Sequence, residues 1–430
     1  MNNDIFHIRG LGGRRKLSGT ITIGGAKNSA TKIMAASILF KDEMRVSNIP
    51  EIEDVHRMAD LLTNLGHIAI KERKGVYRFR INPRAATALD TAIAKRIRSA
   101  VVLTGPILAR FGAVSFPHPG GCVIGERPID MFLEGFRKMG AEVRVKDGMY
   151  IVKRKGAHLV GARIFLRVSS VTVTETLMMS ACLARGVTVI KNAALEPEIA
   201  NMAEFLNKCG ARISGAGTTT ITIRGNGPLH ARGNIHTIMP DRIDAGSFLI
   251  LGALSAKKLI IDKCEPAHLE SLIDVLRRAG ATFDINKTSV TVRGFSAGGV
   301  KPVNIKTHEY PGFPTDLQAL ITVLLTQAKG ESLLFETIYE SRLAYTESLR
   351  LMGADVLLMD AHRIMIKGKT PLRGKTLESP DLRAGLAFVI AAIVASGRSV
   401  IHNVYNIDRG YENIEERLQS IGVDIKRIRG

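Results

Sequence analysis

Six times along this chain an amphipathic helical pattern runs into a glycine and then into strand-like alternation. The segments are Leu61 to Gly66, Phe136 to Val143, Leu206 to Ala211, Val275 to Ala281, Leu349 to Ala354 and Leu418 to Val423. Their glycines stand at 66, 140, 210, 280, 353 and 422, in steps of 74, 70, 70, 73 and 69, and such regular spacing marks an internal repeat. A glycine just past the last apolar residue of a helix takes the left-handed cap. Ahead of the amphipathic helix, most copies carry a more uniformly apolar one, such as Ala30 to Phe40, Thr176 to Leu183, Ala245 to Leu254 or Leu317 to Thr326. Short apolar strands follow these, as at Val187 to Ile190, Lys258 to Ile261 and Ser332 to Phe335. The second helix keeps its apolar residues at helical period, as in Ile199, Met202, Phe205, Leu206 and Cys209. Each copy therefore reads as a βαβαββ unit.

A chain of 430 residues exceeds one ordinary core, so six units predict an α/β protein with three units in each of two domains. Residues 4 to 20 precede the first unit and read as a strand pair around Gly12-Gly13, able to complete the last domain. The expected domains are residues 21–239, carrying the glycine-rich loop of Cys122, and residues 1–20 with 240–430, carrying Asp316, Arg342 and Arg409. The segment His236 to Pro240 is one crossing between them.

The net charge is +20, from 60 Lys and Arg against 40 Asp and Glu, with no long basic tract. Such a field attracts anionic small molecules as readily as nucleic acid. With 15 Phe, 7 Tyr and no Trp there is little material for base-stacking platforms. Cys122, Cys182, Cys209 and Cys264 show no metal-ligand spacing, and Cys182 and Cys209 fall on buried helix faces. That pattern predicts a reducing compartment and neither a zinc site nor a disulfide framework. Met1 to Arg9 lacks the apolar core of a signal peptide, and Leu386 to Ala395 is too short to span a bilayer. The expected location is the cytoplasm, without membrane insertion.

Polar residues cluster where the apolar patterns begin. His118-Pro119-Gly120-Gly121-Cys122-Val123-Ile124-Gly125-Glu126-Arg127-Pro128 places a thiol in a glycine-rich loop, close to a guanidinium able to lower its pKa and activate it. Gly24-Gly25-Ala26-Lys27-Asn28 precedes a helix whose N-terminus favours an anion, although it lacks phosphate-loop spacing. Arg98 opens another apolar helix and suits an anion clamp. Asp316 in Phe313-Pro314-Thr315-Asp316, Asp381 in Ser379-Pro380-Asp381-Leu382-Arg383, and Asp241 stand at helix starts, where acids are also favoured for the dipole alone. Asp408-Arg409-Gly410 reads as a corner projecting two charges.

Taken together, Lys27-Asn28, Gly120-Gly121-Cys122 with Arg127-Pro128, Phe313-Pro314-Thr315-Asp316 and Asp408-Arg409-Gly410-Tyr411-Glu412 resemble the UDP-N-acetylglucosamine 1-carboxyvinyltransferase family of enolpyruvyl transferases, from about residue 5 to 427. The resemblance implies an inside-out α/β barrel of two three-unit domains. It also implies transfer of the enolpyruvyl group of phosphoenolpyruvate to the 3'-hydroxyl of UDP-N-acetylglucosamine, with no metal or other cofactor. Cys122 then matches the thiol of acid chemistry, product release and phospholactoyl adduct formation, and the site of alkylation by fosfomycin. Lys27, Arg98, Arg127, Arg409 and Arg342 match residues around phosphoenolpyruvate. Asn28 and Asp316 match sugar contacts, Asp316 as base for the attacking hydroxyl, and Asp381 matches an aid to proton transfer. Asp130, Ser170 and Val171 fall in the nucleotide-binding segments.

Three positions depart from the family pattern: Phe132 and Asn406 stand where histidine is frequent, and Thr172 where glycine is expected. An enolpyruvyl transferase for a different hydroxylated acceptor, such as a shikimate phosphate, is therefore one alternative. A nucleic-acid-binding protein on the same scaffold is the other.

Overall fold

The computed structural model describes residues 4–120, 128–295 and 298–430. Within them the chain divides into two compact units, one of 4–24 with 240–430 and the other of 25–120 with 128–239. Each unit has its own apolar core, one built on residues such as Phe6, Leu249, Leu324 and Phe388, the other on Ile33, Leu108, Met178 and Leu206.

All six repeat glycines take positive φ, from +86° at Gly140 to +103° at Gly210, where an L side chain is strained. They end the amphipathic helices Glu53–Asn64, Asp130–Lys138, Pro197–Lys208, Glu270–Arg278, Thr346–Leu351 and Ile414–Ser420. The partner helices are buried along most of their length: Lys27–Ala36, Thr104–Phe111, Val171–Cys182, Arg242–Ser255, Gln318–Leu325 and Leu382–Val394. A helix apolar on every side must be enclosed by other elements. Each leucine or isoleucine so enclosed contributes roughly 1.5–3 kcal/mol.

The sheets repeat one pattern. In the unit of residues 25–239, Arg163–Phe165 runs parallel to Val187–Lys191, which pairs antiparallel with Thr220–Arg224, and Ile213–Ser214 forms the edge. Ile235–Thr237, Met44–Ser47, Val76–Arg80 and Ile68–Arg73 repeat this order. The three-stranded sheet of Ala113–Pro117, Met149–Arg154 and Ala141–Lys146 retains the parallel neighbour as a single bridge, Ala88 to Ser115.

In the other unit the start of the chain supplies strands to two different sheets. Ile5–Arg9 lies between Arg398–His402 and Asp424–Ile428, antiparallel to both, with Phe6 opposite Ile401 and Arg427. It takes the place that the second hairpin strand, such as Thr220–Arg224, holds in the other sheets. Leu17–Thr22 runs parallel to Ala256–Asp262, with Ile21 opposite Ile261. The expected strand pair across Gly12-Gly13 is thus corrected: two strands form, each completing a different repeat. For the same reason residues 21–24 lie in the unit of the chain ends, because the Leu17–Thr22 ladder extends across the expected boundary.

No helix among the described residues is long and apolar enough to cross a membrane. Leu382–Val394, which holds all of the expected apolar run but its last residue, Ala395, is a core helix.

Two glycine substitutions separate backbone strain from collision. At Gly210, φ is +103° and nothing lies within 4 Å of an added Cβ, so Gly210→Ala should cost about 1–2 kcal/mol in denaturant unfolding. At Gly225 an added Cβ would come within 1.7 Å of the Ala184 carbonyl oxygen, and Gly225→Ala should cost more than Gly210→Ala in the same measurement. A loss at Gly225 no larger than that at Gly210 would show that the Ala184 backbone yields to the added methyl.

Candidate functional site

In the unit of residues 25–239 the polar candidates sit at helix starts. Gly25 is buried against Asn48, whose carbonyl oxygen would lie 1.8 Å from an added Cβ, and Ala26 N donates to Met239 O at 2.7 Å. These contacts anchor the helix Lys27–Ala36, which has no side-chain cap. Lys27 Nζ lies 2.7 Å from Asp54 Oδ2, with side chains only 12% and 5% exposed, so this ammonium is held by a carboxylate from the first turn of Glu53–Asn64. Asn28 follows, half-buried, in the first turn.

Arg98 opens the 3-10 turn Arg98–Leu103, which continues into Thr104–Phe111. Its Nη1 donates to Pro119 O at 3.2 Å, at the entry to the glycine-rich loop. Gly120 packs so closely that a Cβ would meet Lys95 O at 2.2 Å. Cys122 and Arg127 lie outside the described residues. Ser170 caps Val171–Cys182, its hydroxyl accepting from Val173 N at 3.5 Å, and Val171 is half-buried. Asp130, first in its helix, pairs with Arg167 just ahead of that cap. Arg98–Leu103 packs against both Lys27–Ala36 and Val171–Cys182, so three of these starts belong to one packed set. Phe132 is a core residue at 3% exposure.

In the other unit Asp316 lies in the 3-10 turn Thr315–Leu317 after Pro314. Arg342 Nη2 donates to Oδ1 at 2.8 Å, while Arg383 donates to Oδ2 from Nε at 3.1 Å and Nη2 at 2.8 Å. Arg383 Nη1 donates to Tyr411 Oη at 2.8 Å, and that hydroxyl lies 3.3 Å from Ser247 Oγ. Arg342 Nη1 also donates to Thr315 Oγ1 at 2.9 Å, and Thr315 donates to Glu336 Oε2 at 2.8 Å. Burial by itself would raise the Asp316 carboxyl, but the charges and hydrogen bonds of Arg383 and Arg342 outweigh it and hold the group well below the usual carboxylate range. The Asp316 side chain keeps 27% of its surface exposed, so the clamp is reachable from solvent.

Asp381 caps Leu382–Val394, its Oδ1 accepting from Arg383 N at 2.7 Å and Ala384 N at 3.0 Å. This bond fixes the turn from which Arg383 reaches Asp316. Asn406 Nδ2 donates to Ser379 O at 2.8 Å in the same corner. Arg409 is half-buried and directly follows the short helix Tyr405–Asp408. The expectation of two projecting charges is corrected, because Asp408 is gripped by Arg427 through two bonds of 2.8 Å. Arg427 also binds Asp4 and Glu415, tying the last strand to the start of the chain.

Sequence reasoning missed Arg383, Tyr411, Asp54, Lys32 and Glu175 as partners. The available signal for three of them was a lone charge in or at the start of an apolar helix. The other thiols contrast with a reactive cysteine: Cys182, Cys209 and Cys264 are free and buried, and burial pushes them up to about 12, 11 and 11.

The family model described as EPSP synthase (3-phosphoshikimate 1-carboxyvinyltransferase) matches residues 11–418. The UDP-N-acetylglucosamine 1-carboxyvinyltransferase of Acidobacterium capsulatum is 43% identical over 99% of this chain and 96% of its own. UDP-N-acetylglucosamine 1-carboxyvinyltransferase 1 of Caldanaerobacter subterraneus is 41% identical over 96% and 97%. Among solved structures, the enolpyruvyl transferase NikO from Streptomyces tendae superposes with a TM-score of 0.88 at 23% identity, covering 100% of both chains. EPSP synthase from Acinetobacter baumannii gives 0.74 at 18%, covering 99% of this chain and 100% of its own, so both structures share the fold.

The clamp predicts a pH-dependent contribution to stability. Because the folded carboxyl is depressed, its stabilisation is present above the unfolded value of 3.8 and is lost as pH falls below it. Asp316→Asn should therefore cost roughly 2–3 kcal/mol at neutral pH, a buried-pair loss reduced by partial exposure. In denaturant unfolding the gap from the natural chain should narrow in acid; a gap independent of pH would remove the ionised clamp as its cause.

Proposed function

We propose a division of labour for a chain that belongs to the UDP-N-acetylglucosamine 1-carboxyvinyltransferase family. It transfers the enolpyruvyl group of phosphoenolpyruvate to the 3'-hydroxyl of UDP-N-acetylglucosamine and releases phosphate, the first step of peptidoglycan precursor synthesis. The sugar oxygen bonds to C2 of the alkene as C3 gains a proton and the hydroxyl loses one. The tetrahedral adduct then loses phosphate and a C3 proton. One acid and one base must serve opposite sides of the alkene, with fixed cations around the adduct.

The observation that carries the assignment of roles is the Asp316 carboxylate held between Arg342 and Arg383. In this reading Asp316 is the base. Its arginines make it a weak one until the anionic groups of phosphoenolpyruvate compete for their charge, which raises its basicity once substrate is in place. Lys27, Arg98, Arg127, Arg342 and Arg409 bind the phosphate and carboxylate. Asn28 orients the sugar, and Asp130, Ser170 and Val171 address the nucleotide. Asp381 assists through the position of Arg383 and through proton transfer, and Cys122 supplies acid chemistry and the thiol that fosfomycin alkylates.

The net charge of +20 serves anionic substrates in this account, with no nucleic-acid partner. The free thiols Cys182, Cys209 and Cys264 support work in the reducing cytoplasm. Phe132 and Thr172 keep a different acceptor as the second reading.

Phosphate release from phosphoenolpyruvate should require UDP-N-acetylglucosamine and yield its enolpyruvyl ether by mass; release with a shikimate phosphate instead would establish the second reading. Asp316→Asn should lower kcat by roughly 10²–10⁴-fold, the size of a lost general base. Fosfomycin should add one covalent group to the natural protein and none to Cys122→Ser, and labelling that persists in the variant would remove Cys122 as its target.

A further inference from the structure

Lys27–Ala36 and Val171–Cys182 each bury one charged side chain along their length, Lys32 at 7% exposure and Glu175 at 0%. Lys32 Nζ lies 3.8 Å from Glu175 Oε2, beyond hydrogen-bond reach, and neither Glu175 oxygen has a hydrogen-bond partner among the described residues. An apolar pair of similar size would fill this space without burying an ammonium and a carboxyl that has no hydrogen-bond partner. The contact lies close to both helix starts: Lys32 is five residues beyond Lys27 and Glu175 four beyond Val171. At a rise of about 1.5 Å per residue, that is about 6–8 Å from each start.

We propose that Lys32 and Glu175 are positioning residues, whose buried contact sets the separation of the two helices and with it the spacing between the Lys27-Asn28 start and the Ser170-Val171 start. This rests on assigning those starts to the two substrates. Over such short, enclosed helical segments a change in separation at the contact moves both starts, because close packing leaves no slack to absorb it.

The contact has two states. Burial pushes the Glu175 carboxyl up to about 8, against the pull of Lys32, with Glu198 and Glu196 adding to the rise. Among the described residues these are the charged groups that act on it: Lys32 from Lys27–Ala36, and Glu196 and Glu198 from the start of Pro197–Lys208, which packs against both helices. At neutral pH Glu175 is mainly the neutral acid. Above about 8 it ionises and draws Lys32 into an ion pair.

Backbone hydrogen exchange of the full chain, followed across this window and corrected for intrinsic rates, tests the idea. Protection at residues 27–31 and 171–175 should change with a midpoint near 8 in the natural protein. Glu175→Gln, a mimic of the neutral acid, should keep the neutral-pH protection throughout. Lys32→Met should move the midpoint upward, because the cation that favours ionisation is gone. Protection of Glu53–Asn64 reports that each variant is folded. In turnover, KM for UDP-N-acetylglucosamine should change roughly fivefold across the window in the natural enzyme, with a smaller change in kcat, and stay flat in Glu175→Gln. A Glu175→Gln profile that follows the natural one at both segments, or an unmoved midpoint in Lys32→Met, overturns the proposal. Absence of the enolpyruvyl ether with natural protein would overturn the substrate assignment instead, while the exchange profiles still judge the contact.

Discussion

Enclosure of apolar helices is the constraint on which the rest of this structure depends. Leu382–Val394 and Gln318–Leu325 are buried almost throughout, so neither can rest one face on a sheet and leave another to water. Covering them takes sheets and amphipathic helices from several repeats, which explains why the unit of fold is three repeats and not one. The same constraint explains the use of the chain ends. In the sheet of the last repeat, Ile5–Arg9 holds the place of the second hairpin strand, between Arg398–His402 and Asp424–Ile428. Arg427 locks the closure by binding Asp4, Asp408 and Glu415 together.

Enclosure also decides where chemistry can occur. A buried helix offers its polar backbone only at its ends, and its start carries unpaired N–H groups with a partial positive charge. Lys27 and Asn28, Arg98, Ser170 and Val171, Asp316, and Asp381 with Arg383 all stand at the starts of such helices or of the turns that lead into them. The family to which the chain belongs handles a phosphate, a carboxylate and a nucleotide diphosphate in one reaction, and anions of this kind suit helix starts and fixed cations. Both Lys27 and Arg383 are held by acids, Asp54 and Asp316. Such pairing keeps both cations oriented at the helix starts.

Much of this was legible in sequence because it is local. A glycine after an amphipathic helix announces a left-handed cap wherever it occurs, and Gly66, Gly140, Gly210, Gly280, Gly353 and Gly422 all take positive φ. Asp316 and Asp381 were legible as acids at helix starts, and Lys27 as a cation at one. Their partners were not, since Arg383 lies 67 residues from Asp316 and no periodicity connects the two. The Gly12-Gly13 turn misled for the same reason: locally it suggests a hairpin, yet its two strands find better partners in sheets formed by residues 256–262 and 398–428.

By itself the sequence determined the α/β class, the number of repeats, the ends of the amphipathic helices and the positions where charge interrupts apolar patterns. These follow from side-chain periodicity and from the backbone freedom of glycine, both properties of neighbouring residues. Tertiary structure alone decided which charges meet. Asp316 is depressed by two arginines from different repeats, whereas Glu175 is raised by burial against a single more distant lysine, with Glu198 and Glu196 adding to the rise. One type of group, the carboxyl, reaches opposite states because Coulomb energy and desolvation depend on distances in space, which the order of residues along a chain does not contain.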